Sequence, residues 1–275
     1  MPFTISHIAA VLPAHRQLRR WGYFSAAIVG TMVPDFGFLI PAPLTRAATH
    51  SAAALFTFCL PLGLLAFWLF QRLIKPAWCV VLPGSWRLRL RAEHPAALLS
   101  DWRAWLGAAA AVLVGALTHL VWDAFAHEDG RGVLMLPFLE VYGPDIKGYH
   151  LRLYRWLQHG SSVVGLLLVL WAAWRWTRGE IRTDLAGGGA RGRWPWPELG
   201  ARERHAWLAA YLLIPALMLL VSAILALGEP GPPLALGQLL TRLAFVSLEG
   251  TGLSLLLISA LIRLRVALWL RPLDA

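Results

Sequence analysis

In the run Thr118-His119-Leu120-Val121-Trp122-Asp123, a histidine precedes an aspartate by four positions. On a helix that spacing puts both side chains on one face, one turn apart. An imidazole nitrogen and a carboxylate oxygen suit a borderline metal such as zinc. The same pair also reads as a His-Asp hydrogen bond that ties two helices together. Ionisable groups at the end of an apolar span are costly unless they pair, line water or bind an ion. Asp35, His50 and His159 are of the same chemical kind, and His127 and Asp129 follow just past His119 and Asp123. Each alone has an ordinary explanation as a cap, an interfacial histidine or a loop polar. Jointly, drawn from several segments at one expected depth, they favour a shared site for divalent metal, with zinc the expected ion.

The elements that must position these residues are membrane helices. Of 275 residues, 58% are hydrophobic and only 15% are charged, against roughly 25% charged in soluble domains. Apolar runs at 52–71, 104–122, 160–174, 206–227 and 243–262 approach or reach the ~20 residues that cross a hydrocarbon core. A sixth stretch, 21–40, is interrupted by Gly30, Pro34 and Gly37, so its depth stays open. The expected fold is therefore all-α: a polytopic transmembrane helical bundle of about five to six spans.

Three parts are expected: a helical membrane block at 1–176 carrying the metal site, a basic Gly/Pro/Trp linker at 177–204, and a C-terminal transmembrane helix pair at 205–275. Residues 84–103, with Trp86, Arg87, Arg89, Arg91 and Trp102, read as either an interfacial segment or a solvated basic loop. The first twenty residues lack the charge order of a cleavable signal peptide. Cys59 and Cys79 have no metal-ligand or disulfide spacing and read as small buried hydrophobes.

Lysine and arginine set the expected orientation. If span ends alternate, the side holding Arg16, Arg19 and Arg20, the 72–103 loop, the 175–204 segment and the C-terminus collects most of them. The other side has Arg46, Arg131, Lys147, Arg152, Arg155 and Arg242. The richer side is expected to be cytoplasmic, in a multi-pass protein of the cell (inner) membrane, with the His/Asp groups at the extracytoplasmic face. Many tryptophans, among them Trp102, Trp122, Trp171 and Trp207, fall near span ends, where amphipathic rings favour the headgroup level. The net charge of +10 then suits anionic headgroups, and no nucleic-acid partner is expected.

The stretches Met1-Pro2-Phe3-Thr4-Ile5-Ser6-His7-Ile8-Ala9-Ala10, Gly30-Thr31-Met32-Val33-Pro34-Asp35-Phe36 and Thr49-His50-Ser51 resemble the opening of a bacterial membrane family, domain of unknown function 4184. Gly115-Ala116-Leu117-Thr118-His119-Leu120-Val121-Trp122-Asp123-Ala124-Phe125 and Gln158-His159-Gly160-Ser161-Ser162 are similar to its later motifs, so the likeness covers about residues 1–175. That family is distantly similar to LexA-regulated inner-membrane metal-dependent hydrolases, zinc-dependent phospholipase C and the fungal single-strand nucleases. The resemblance implies a zinc cluster that activates water against a phosphoester, with His7, Asp35, His50, His119, Asp123 and His159 as metal ligands. His7 reaches the site only if the N-terminal segment dips inward. The His-x-x-x-Glu pairing of the phospholipases is absent, since Val163 stands four positions after His159.

The expected activity is hydrolysis of a phosphoester or related ester at the extracytoplasmic face, with Asp123 or Asp129 taking the proton. Lys147, Arg152 and Arg155 are candidates for holding an anionic lipid or phosphoester substrate. The competing class is a transporter or scaffold whose cluster only fixes helix packing, for which Glu249 in the last span is the residue to watch.

Overall fold

The computed structural model describes residues 3–40, 44–92, 101–145, 150–179, 199–228 and 236–269. Every regular element among the described residues is helical, and five helices are long and apolar enough to cross a membrane: Leu55–Val81, Trp102–Ala126, Leu153–Arg178, Ala201–Ala226 and Arg242–Leu268. They are called the first to fifth spans below. The chain is thus an all-α polytopic protein.

It folds as two compact units, one built from Met1–Gly37, Ala42–Phe67 and Pro95–Glu180, the other from Phe38–Pro41, Trp68–His94 and Ile181–Ala275. Every residue expected in the metal site belongs to the first unit. Glu249 belongs to the second, where it is half-buried.

In the first unit the second span is the organising element. Asp101 caps it by accepting from the Arg103 N–H at 3.2 Å, and its 25 residues extend about 37 Å at 1.5 Å per residue. Ala108, Ala111, Val112, Gly115, Ala116, His119, Asp123 and Ala126 are buried, and their spacing of three and four traces one stripe along the helix. Most of that stripe is small, and the Phe24–Met32 helix packs on it. A Cβ on Gly115 would lie 2.3 Å from the Ala27 carbonyl oxygen, and one on Gly30 would lie 2.3 Å from that of Val112. The two backbones therefore meet with no side chain between them, as small residues permit in membrane helix pairs. His119 and Asp123 continue the stripe toward its C-terminal end.

The interrupted 21–40 stretch forms the Phe24–Met32 helix followed by a 3-10 helix, Val33–Leu39. Pro34 provides no N–H, and at Val33 the backbone passes to tighter pairing. The Thr31 carbonyl, which a continuing α-helix would engage through the Asp35 N–H, is left for another donor. The N-terminus forms a 3-10 helix, Thr4–Val11, seated against the third span. A Cβ on Gly165 would lie 2.7 Å from the Ser6 Cβ, and the Phe3 N–H donates to Ser162 Oγ at 3.1 Å.

In the second unit Ala77, Val80 and Val81 pack with Ile258, Ile262 and Val266. Pro215, inside the fourth span, cannot donate to the carbonyl of Tyr211 four residues back; Ser254 Oγ donates to that oxygen at 2.7 Å instead.

Two expected boundaries shift. The first span runs through Gln71, Arg72 and Lys75 to Val81 because Gln71 and Lys75 are buried; the polar residues that read as the start of a loop lie inside a helix. The third span reaches Arg178 and the fourth begins at Ala201, so both ends of the expected 177–204 linker are helical. Its residues 180–198 lie outside the described residues.

The close helix approach predicts a sharp contrast between glycines. Gly115→Val should lower the thermal midpoint of the purified protein in detergent, by an amount equivalent to about 1–3 kcal/mol or more, because the backbones must separate. Gly160→Ala, where an added Cβ meets nothing within 4 Å, should be neutral or raise it by up to about 1 kcal/mol.

Candidate metal centre

Four elements of the first unit converge on one point. The second span supplies His119 and Asp123, the 3-10 turn after Met32 supplies Asp35, and the short helix Arg46–His50 supplies His50. The N-terminal 3-10 helix supplies His7. This helix brings His7 to the cluster, where its ring stacks on that of His119 with centroids 3.8 Å apart.

The atoms facing the centre lie at consistent distances. His50 Nε2 is 3.3 Å from Asp35 Oδ1 and 3.6 Å from Asp123 Oδ2. His119 Nε2 is 3.6 Å from Asp35 Oδ1 and 3.5 Å from Asp123 Oδ2. His7 Nε2 is 3.7 Å from Asp123 Oδ1. The side chains of all five residues are at most 5% exposed. A hydrogen bond would draw such atoms to about 2.7–3.2 Å. Two ligands of one tetrahedral zinc ion, each about 2.0–2.1 Å from the metal, are roughly 3.3–3.4 Å apart. The observed contacts are thus closer to the edges of a coordination polyhedron than to hydrogen bonds.

The hydrogen-bond accounting agrees. Nε2 of His7, His50 and His119 and Oδ1 of Asp35 and Asp123 are buried without a hydrogen-bond partner, although buried polar groups are nearly always bonded. The other polar atoms of His119, His50 and Asp35 are engaged. His119 Nδ1 is 2.7 Å from the Thr31 carbonyl, which can only accept, so Nδ1 carries the hydrogen and, in the neutral ring, Nε2 is the atom with a lone pair. His50 Nδ1 meets Thr49 Oγ1 at 2.7 Å, and Thr4 Oγ1 donates to Asp35 Oδ2 at 2.6 Å. Outer partners of this kind orient the ligands of metal sites. Burial, reinforced by His119, pushes the His7 imidazole down to about 4, so it is neutral near pH 7 with a lone pair to offer. Two groups could hold a metal ion: His7 with His119 and Asp123, and Asp35 with His50 and His119, the ligand atoms in each lying within 4.8 Å of one another.

The remaining expected residues are placed differently. His159 is exposed on the third span, outside the cluster. The buried line there runs through Tyr154, Gln158 and Gly165, and one residue further along a helix is about 100° further round. Gln158, not His159, faces inward, accepting from Arg155 NH1 at 3.2 Å. Asp129 has a side chain 73% exposed and lies 3.9 Å from Arg46 Nε. Arg152 is 4.0 Å from Glu128. Arg155 joins His127, Glu128 and Asp129 around an open depression of about 390 Å³. Lys147 lies outside the described residues.

Two neighbours complete the site. Arg46 NH2 donates to Asp123 Oδ2 at 2.9 Å, and its position four residues before His50 on one short helix is the sequence signal that marks it. His127 Nδ1 sits 3.1 Å from the Asp123 carbonyl oxygen and 3.6 Å from Asp123 Oδ1. Burial lowers the His127 pKa, which Asp123 opposes and Arg46 reinforces.

The family model described as domain of unknown function (DUF4184) matches residues 1–260. The chain belongs to the DUF4184 family. The match extends past the 1–175 resemblance into the fifth span, so family membership embraces the C-terminal spans as well as the block that holds the cluster. No curated protein and no solved structure matches the chain.

Arg46→Met, assayed by unfolding in the presence of a chelator, should cost about 1–3 kcal/mol, because it strips a charged donor from a carboxylate that is 2% exposed. Asp129→Ala, at the exposed rim, should stay within about 0.5 kcal/mol of the parent.

Proposed function

We propose that the chain is a membrane-embedded metal-dependent hydrolase acting on a phosphoester or related ester, with zinc the resident ion. The observation that carries this reading is the set of buried, unpartnered atoms, Nε2 of His7, His50 and His119 and Oδ1 of Asp35 and Asp123, turned toward one another at 3.3–3.7 Å. An all-nitrogen and oxygen donor set of histidines and aspartates suits zinc among common ions. The distant resemblance to the LexA-regulated hydrolases and to zinc-dependent phospholipase C supports the same chemistry. The lysine and arginine distribution supports an orientation in the cell membrane with the site on the extracytoplasmic side and the 177–204 linker in the cytoplasm.

Those five residues would hold the ion. When bound, it supplies Lewis acidity toward an ester oxygen and lowers the pKa of a coordinated water toward neutrality. The protein's own groups do the rest. Asp129 stands at the rim, free to accept a proton and pass it to solvent, while Asp123 is committed to the interior. Arg155, on the open depression beside His127, and Arg152 are placed to neutralise an anionic ester. Arg46 lies between Asp123 and Asp129 and holds the buried carboxylate in position through its hydrogen bond.

A second reading has an observation in its favour. The Arg46 bond to Asp123 and the Thr4 bond to Asp35 each satisfy one carboxylate oxygen, as a purely structural polar cluster would require.

Elemental analysis of the purified protein separates the two. Metal near stoichiometry is expected, falling by roughly tenfold or more in His119→Ala and Asp123→Asn, unchanged in His159→Ala, and accompanied by loss of phosphodiester hydrolysis in the first two. Wild-type protein with background metal, and variants that differ only in melting temperature, would leave the structural reading alone.

A further inference from the structure

The segment joining the second and third spans has an outward face that is unusual for a loop in water. Leu134, Met135, Leu136, Phe138, Val141 and Tyr142 are all exposed, Met135 by 75% and Leu134 by 63%. A contiguous apolar patch of this kind marks a contact surface. It is not the consequence of a loose loop. Val133, Leu139 and Tyr154 are buried together, with Phe125 and Leu153 packed against them. The Leu153 N–H donates to the Val141 carbonyl and the Gly143 N–H to that of Leu151, each at 2.9 Å. One set of side chains is thus held inward and the other apolar set is held out.

The location says what covers it. The segment leaves one membrane span at Ala126 and enters the next at Leu153, so both anchors lie at the same bilayer surface. Two glycines turn it back onto the end of the second span: a Cβ on Gly130 would be 2.3 Å from the Ala124 carbonyl oxygen, and one on Gly132 would be 2.4 Å from the Phe125 ring. A segment doubled back on a span end stays at headgroup depth. Counted from His127 to the first turn of the third span its charges balance, with Arg131, Lys147, Arg152 and Arg155 against Glu128, Asp129, Glu140 and Asp145, so apolar burial and not charge attraction supplies the affinity.

We propose that residues 134–142 lie in the adjacent membrane leaflet, forming an apolar sill beside the depression lined by His127, Glu128, Asp129 and Arg155. The partner is the lipid leaflet itself. If the hydrolase reading holds, on which this second part rests, the substrate class is a membrane lipid phosphoester that reaches the site sideways from that leaflet.

Nitroxide labels at Met135→Cys and Phe138→Cys, in protein carrying Cys59→Ala and Cys79→Ala and reconstituted in phosphatidylcholine nanodiscs, report depth directly. Both labels should be more accessible to oxygen than to a water-soluble nickel chelate, with no change from low to high salt. A label at Glu128→Cys, whose side chain is 66% exposed, should show the opposite order. Chelate-dominated accessibility at both positions 135 and 138 overturns the proposal, whatever the activity. The Met135→Glu, Phe138→Glu double variant should lower hydrolysis of a long-chain phosphatidyl substrate roughly tenfold while sparing a soluble short-chain phosphodiester; equal loss on both overturns lateral delivery. Labels at lipid depth with neither substrate cleaved support the leaflet contact and remove the hydrolase reading on its own.

Discussion

The close approach of the Phe24–Met32 helix to the second span is the constraint on which the first unit depends. Gly30 and Gly115 leave the two backbones in contact, and at that separation the Thr31 carbonyl comes within 2.7 Å of His119 Nδ1. One bond then has three effects. It satisfies a carbonyl released where the helix tightens ahead of Pro34, it keeps a hydrogen on His119 Nδ1, and it points Nε2 at Asp35 and Asp123. Insert a side chain between the backbones and all three are lost together.

The same economy recurs at Pro215 in the fourth span. Pro215 strips the Tyr211 carbonyl of its helical donor, and Ser254 on the fifth span replaces it. In hydrocarbon an unsatisfied carbonyl is costly enough that a neighbouring helix must supply a donor. In the second unit a serine does this and the result is structural. In the first unit a histidine does it, and its second nitrogen is left buried and unpartnered beside two carboxylates. That surplus of unpartnered nitrogen and oxygen atoms, more than any single contact, separates a candidate metal centre from ordinary helix packing.

Much of the fold could be read from the chain because hydrophobic length reports directly on spans. The spans followed from run length, and the shared face of His119 and Asp123 followed from a spacing of four. Legibility failed where the answer depended on helix phase or on tertiary contact. His159 looked like a ligand by residue type, yet the inward line of the third span passes through Tyr154 and Gln158, and only the start of that helix sets the phase. His7 was pointed to by family likeness; no local spacing could show that its 3-10 helix nests against Gly165. Arg46 was counted as a loop charge, although it precedes His50 by one helical turn. Gln71 and Lys75 looked like the end of a span because hydropathy assigns them to water, whereas packing within the second unit buries them.

The central claim is that these buried nitrogens and oxygens are a coordination shell. X-ray absorption at the metal edge of the zinc-loaded protein examines that shell atom by atom. The account predicts a first shell of nitrogen and oxygen at about 2.0–2.1 Å, with the outer-shell scattering of two or three imidazoles, and loss of that imidazole signal in His119→Ala. Sulfur at about 2.3 Å, which would implicate Cys59 or Cys79, or a shell without imidazole scattering, would contradict it.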